Sequence, residues 1–112
     1  MSLVDLRSTA AELPGAWNSR LLGRIGGAGG VGGIGGVGLK VLRMDGRALE
    51  PESHGTAEAL LVLDGTLHLV ADGVGVEVCA GQMYVVGAGV EHAVGPGSRG
   101  TLVIVEHLAD PE

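Results

Sequence analysis

From Leu39 to Leu108 the apolar residues come in short runs of β-branched and leucine side chains, broken by Gly, Asp or Pro at intervals of about ten residues. That rhythm predicts an all-β sandwich or barrel. Strands are expected near 39–44, 48–54, 58–63, 66–71, 74–79, 83–86, 91–94 and 101–108. Asp64-Gly65 and Asp72-Gly73 tolerate positive φ and predict two tight hairpin turns. No amphipathic stretch after residue 39 is long enough for a crossover helix, so the strands should pair antiparallel. Strand alternation places Glu52, His54, Glu58, Leu60 and Val62 on one face and Leu61 and Leu63 on the other.

Upstream the pattern is different. Residues 1–38 read as an N-terminal arm in which Thr9 and Glu12 form a capping box for one short turn of helix, stopped by Pro14-Gly15. The arm ends in the tract GGAGGVGGIGGVG, 26–38, which matches the dinucleotide-binding pattern Gly-x-Gly-x-x-Gly at Gly27, Gly29 and Gly32. That pattern holds a phosphate only where a strand ends, a helix begins and parallel strands surround both. Here the glycines run straight into the strand expected at Leu39, and any tract this rich in Gly fits the pattern in several frames. The tract is expected to be a flexible loop or an irregular, extended hairpin insertion.

Length and charge narrow the function. A chain of 112 residues suits one domain, here a barrel over 39–108. The formal net charge is −6 and no block of Lys and Arg occurs, which argues against nucleic acid or an anionic membrane as partner. Asp5, Arg7 and Glu12 interrupt what a signal peptide would need, and the most apolar runs, 59–63 and 101–105, fall far short of the ~20 residues of a membrane-spanning helix. The lone Cys79 cannot form an intramolecular disulfide and is expected to be a small buried hydrophobe. These features fit a cytoplasmic protein.

The chemistry concentrates in GRALEPESHGTAEALLVLDG, 46–65, and GQMYVVGAGVEHAVGP, 81–96. A carboxylate and an imidazole leading into the apolar run ALLVL must be paired, hydrogen-bonded or bound to an ion. His92 follows a glycine-rich turn in a segment that can fold back over the first. Two imidazoles and a carboxylate form a known ligand set for divalent Mn, Fe, Ni, Zn or Cu.

These two segments resemble the paired motifs of the cupin superfamily. The first family motif runs Gly, five residues, His-x-His, three or four residues, Glu, six residues, Gly; this chain has Gly46, Glu52-x-His54, Glu58 and Gly65 at those spacings, with Glu52 in place of the first histidine. The second runs Gly, five residues, Pro-x-Gly, two residues, His, three residues, Asn; this chain has Gly81, Gly87-x-Gly89, His92 and Pro96. The resemblance implies a jelly-roll barrel, a double-stranded β-helix with the arm added at its N-terminus. It implies that His54, Glu58 and His92 bind a metal, with Glu52 either a fourth ligand or a solvent-facing carboxylate. The implied cofactor is a divalent ion, Mn, Fe, Ni or Zn.

Other polar residues read as structural. His68 and His107 are expected at the surface, Glu91 on a solvated rim, and Arg43 and Arg47 as exposed charges rather than clamps for a substrate carboxylate. With no Phe in the chain, Met83, Leu60 and Val62 are expected to wall an aliphatic pocket rather than one for flat aromatic substrates. Two functions remain open. In one, the resemblance implies a metal-dependent enzyme on a small sugar-derived or keto-acid metabolite, akin to sugar isomerases, pectin-breakdown lyases or dioxygenases. In the other, the barrel is non-catalytic and binds a metal or metabolite or serves a structural role. Leu61 and Leu63 on an outer face, with the family resemblance, suggest a homodimer.

Overall fold

A computed structural model describes residues 3–26 and 36–108. One short helix, α1 (Leu6–Glu12), precedes eight strands: β1 (Arg20–Ile25), β2 (Val37–Asp45), β3 (Leu49–Glu52), β4 (Glu58–Ala71), β5 (Val74–Cys79), β6 (Met83–Val86), β7 (His92–Val94) and β8 (Arg99–His107). Every pairing between them is antiparallel. The curled sheet is a jelly-roll barrel, as the motif resemblance implies.

β4 organises the barrel. Its first half lies between β8 and β6, and its second half between β5 and β7. β2 extends the first group beside β8, with β1 at its edge, while β3 extends the second beside β7. The sequence reading of two strands joined by a hairpin at Asp64-Gly65 is therefore wrong. The dipeptide is a bulge inside one 14-residue strand, where the β8 partner of Val62 is Leu102 but that of Asp64 is Thr101. One extra residue reverses the alternation, so Leu60 and Val62 are buried before the bulge and Leu67, Leu69 and Ala71 after it. Both halves thereby face the same lumen. Gly65 (φ 80°) sits opposite Gly100 (φ 116°), where a Cβ on Gly65 would lie 1.9 Å from the Arg99 carbonyl oxygen. Asp72-Gly73 does make the expected tight turn, with φ of 52° and 78°.

The arm is more ordered than the sequence suggests. α1 starts at Leu6, and its cap is Asp5, whose carboxylate accepts from the Ser8 backbone N–H at 3.0 Å; Thr9 lies inside the helix. Competing cap residues only four positions apart mislead a pattern search, and the end before Pro14 is as expected. Arg43 is no free surface charge. Its Nη1 donates to the carbonyls of Ala10, Ala11 and Leu13 at 2.7, 3.2 and 3.2 Å and ties down the C-terminal end of α1. Ala10 and Leu6 then pack on Val41, Val103 and Leu61, so α1 covers the outer face on which Leu61 lies.

β1 also belongs to the sheet, with Ile25 opposite Val37 on β2. The glycine tract thus leads into an antiparallel strand beginning at Val37, and the helix that a dinucleotide loop requires is not there. Residues 27–35, and the expected loop conformation with them, lie outside the described residues. Cys79 is exposed rather than buried, because the neighbouring Val78 takes the core-facing position on β5.

Candidate metal site

Alternation along each strand sets the inner wall. On β2 the even positions Lys40 and Leu42 face the lumen, on β8 Leu102, Ile104 and Glu106, and on β4 Glu58 and Leu60. Leu67 and Leu69 from beyond the bulge, Leu49 from β3 and Val94 from β7 close a cavity of about 330 Å³. Trp17 and Ser19 from the arm complete the wall. Trp17 is fixed there by its backbone N–H to Arg43 O at 2.9 Å and its Nε1 to Asp45 Oδ1 at 2.8 Å. Met83 does not line this cavity. It pairs with Leu61 and is exposed, so the expected aliphatic wall consists of leucines, Val94 and Ile104 instead.

At one end of the cavity Glu52, His54, Glu58 and His92 converge. Glu52 ends β3 directly opposite His92, the first residue of β7, while Glu58 opens β4. His54 occupies the connection from β3 to β4, and its carbonyl oxygen accepts from Gly89 N–H at 2.8 Å, locking that connection to the turn before His92. His54 Nε2 lies 3.3 Å from Glu52 Oε1 and 3.6 Å from Glu58 Oε2, and His92 Nε2 lies 3.4 Å from that same Glu58 oxygen. One donor atom each of Glu52, His54 and His92 falls within 4.8 Å of the others. The sequence brought these four residues together as one candidate set, and the fold gathers all four.

Burial grades them. The side chains of His92 and Glu58 are 8% and 10% exposed, against 46% for His54 and 64% for Glu52. Burial pushes the Glu58 carboxyl above its ordinary range. His54 and His92 pull it back, while Glu106 and Glu52 add to the rise. His92 Nδ1 lies 3.0 Å from Val90 O. A carbonyl only accepts, so Nδ1 carries the proton and Nε2 turns its other valence toward Glu58.

An ionised Glu58 oxygen and an Nε2 lone pair 3.4 Å apart repel unless a proton or a cation lies between them. Separations of 3.4 and 3.6 Å exceed ordinary hydrogen bonds. The 3.3 Å between His54 and Glu52 and the 3.4 Å between His92 and Glu58 fall within the roughly 3.0–3.4 Å between neighbouring donors that bind one ion at ~2.1 Å, and the 3.6 Å lies just outside it. Glu52, His54 and His92 thus form a candidate ligand group for a metal ion, with Glu58 beside both imidazoles, and the Nδ1 contact to Val90 is the carbonyl bond that ligating histidines characteristically make.

Sequence reasoning missed Lys40, Glu106, Trp17 and Ser19. For the first two a signal was present, since Lys40 shares parity with Leu42 and Met44, and Glu106 with Leu102 and Ile104. Lys40 Nζ binds Glu106 Oε2 at 2.8 Å. Two other candidates stay away from the site, His68, whose Nδ1 lies 3.6 Å from Glu77, and Arg47, which pairs with Asp45. His107 is exposed as expected, and it lines an adjoining pocket with His54, Glu58 and Glu106.

A model of the cupin domain, the cupin-2 family, matches residues 41–106. The chain belongs to the cupin family. In structure it resembles a cupin-2 domain protein from Shewanella frigidimarina, with a TM-score of 0.78, 20% identity and 95% of each chain covered. It also resembles a Neisseria meningitidis protein at TM-score 0.75 and 18% identity, over 96% of this chain and 100% of that one. KdgF from Halomonas is a more distant match, at TM-score 0.62 and 13% identity over 80% of this chain and 76% of that one. At these identities the likeness is one of fold. No curated protein matches the chain in sequence. No helix among the described residues is long and apolar enough to cross a membrane.

Proposed function

We propose that this cupin holds one divalent cation, Mn, Fe, Ni or Zn, with His54, Glu58, His92 and Glu52, and binds a small sugar-derived or keto-acid metabolite beside it. The observation that carries this reading is the buried Glu58 Oε2 facing His92 Nε2 at 3.4 Å, with the other imidazole nitrogen committed to Val90. Bound there, such an ion supplies Lewis acidity toward a carbonyl or enediol oxygen.

The chain's own residues do the rest. Val90 fixes the His92 ring, and burial holds Glu58 inside the barrel, so neither needs to reorganise when a ligand arrives. Leu49, Leu60, Leu67, Val94 and Ile104 give the cavity an apolar wall. Glu52, the most exposed of the four, is placed at the rim to act as a ligand or to accept a proton at a carboxylate oxygen.

One observation favours a non-catalytic, binding role instead. The one further carboxylate among the described residues lining the cavity, Glu106, is engaged by Lys40, so it does not stand as a free acid or base beside the proposed ligands. Elemental analysis of untagged protein purified without chelator tests the metal reading. Near one ion per chain, lost in a His54→Ala, His92→Ala variant, is the expected result. No uptake after soaking with Mn, Fe, Ni and Zn would overturn it.

A further inference from the structure

Lys40 is the only Lys or Arg among the described residues that line the cavity. It stands on β2, in the inward register, with Ile104 opposite it on β8 and its ammonium on Glu106. Lys40 and Glu106 side chains are 25% and 28% exposed, so the pair is open to whatever enters. An ammonium carries three donors, and Glu106 takes one of them.

Charge sharpens the point. Glu58 and Glu106 face each other directly across β4 and β8, and Glu52 adds a third carboxylate to the same cavity. A dication offsets Glu52 and Glu58, and Lys40 offsets Glu106, which leaves the loaded cavity close to neutral. A solvated surface lysine would need no such arrangement. Here the one ammonium lining the cavity stands among leucines and Ile104 and is about three-quarters buried, where an incoming anion would lose part of its hydration.

We propose that Lys40 is the anchor for a carboxylate of the bound metabolite, with Glu106 as the internal carboxylate that holds the ammonium in place until the ligand displaces it. This rests on the metal-site reading for where the remainder of the ligand lies, and it narrows the ligand class to small aliphatic hydroxy or keto acids. Neutral sugars of the same size then lack the deciding contact.

The test uses gluconate and its neutral isostere gluconamide, titrated calorimetrically into the full chain in metal-free and Mn-loaded forms. The native protein is expected to prefer the acid by about tenfold or more, and Lys40→Met to lose that preference while metal content stays unchanged. Glu106→Gln, which frees the ammonium, is expected to tighten gluconate and leave gluconamide unaltered, a gain that a purely structural ion pair would not give. The double variant Lys40→Met, Glu106→Gln removes both charges and keeps the test readable should Lys40→Met fold poorly. Equal affinity for acid and amide, binding of neither, or a preference that survives Lys40→Met and the double variant would overturn the proposal. Failure of metal uptake with a Lys40-dependent preference intact would instead overturn the metal reading and leave the anchor standing.

Discussion

Glu58 on β4 and Glu106 on β8 are directly opposed in the antiparallel register, both lining the cavity. Two like charges in this position destabilise a sheet unless each has its own counter-charge. Glu106 has Lys40 at 2.8 Å, and the counter-charge for Glu58 is the cation proposed to lie between it and the two imidazoles. Lys40→Met strands Glu106 opposite Glu58 and should lower stability by roughly 1 kcal/mol, a figure kept small by the partial exposure of the pair. Lys40→Met, Glu106→Gln should recover most of that loss. Urea denaturation of the three proteins decides it, and equal stability of the two variants would refute the account.

The burial of the four proposed ligands ranks them. His92→Ala and Glu58→Gln should abolish measurable binding of Mn or Zn, since each removes a fixed, buried donor. Glu52→Gln alters the most exposed group, and its effect should stay within the range usual for outer-shell partners, about 10–100-fold. Isothermal titration gives the order. A Glu52 variant more damaging than the His92 variant would contradict it.

Gly65 and Gly73 have nearly the same backbone conformation, φ 80° and 78°, and different surroundings. A Cβ on Gly73 meets nothing within 4 Å, whereas one on Gly65 would overlap the Arg99 carbonyl. Gly73→Ala should therefore cost only the left-handed penalty, about 1–2 kcal/mol. Gly65→Ala should cost clearly more, or prevent folding, because β4 and β8 must separate at the bulge. Chemical denaturation of the two variants side by side measures the difference.

Asp45 is held down to about 2, chiefly by hydrogen bonds from the Arg47 side chain and backbone, with a further bond from Trp17. A lowered folded-state value means that its contribution to stability is complete above the ordinary value of 3.8 and is lost as pH falls from there through about 2. Because Trp17 is the only tryptophan, its fluorescence should report the loss of the Asp45 contact with a midpoint near that lower value. Asp45→Asn should remove the transition. An unchanged acid titration in that variant would assign the signal to global unfolding.

The candidate site was legible because its spacing is local: Glu52, His54 and Glu58 lie along one segment, and the turn glycines place His92 a fixed distance after Gly81. The cavity's other polar wall was not. Lys40 and Glu106 are 66 residues apart and look like ordinary surface charges until β2 and β8 pair. Arg43 misled for the same reason, since nothing near it in sequence reveals that the end of α1 lies within reach of its guanidinium. At Asp64-Gly65 the local signal itself was ambiguous. The same two residues suit a hairpin and a bulge, and only the continuous pairing of β8 along β4 selects the bulge.

By itself the sequence determined the all-β class and the antiparallel pairing, because strand alternation acts over a few residues, and its resemblance to the cupin motifs supplied the four ligand candidates. The tertiary structure alone decided which charges share the cavity, how β4 serves both halves of the barrel, and what covers Leu61. Those outcomes depend on strand register and on contacts between distant segments, which the alternation of a single strand does not encode.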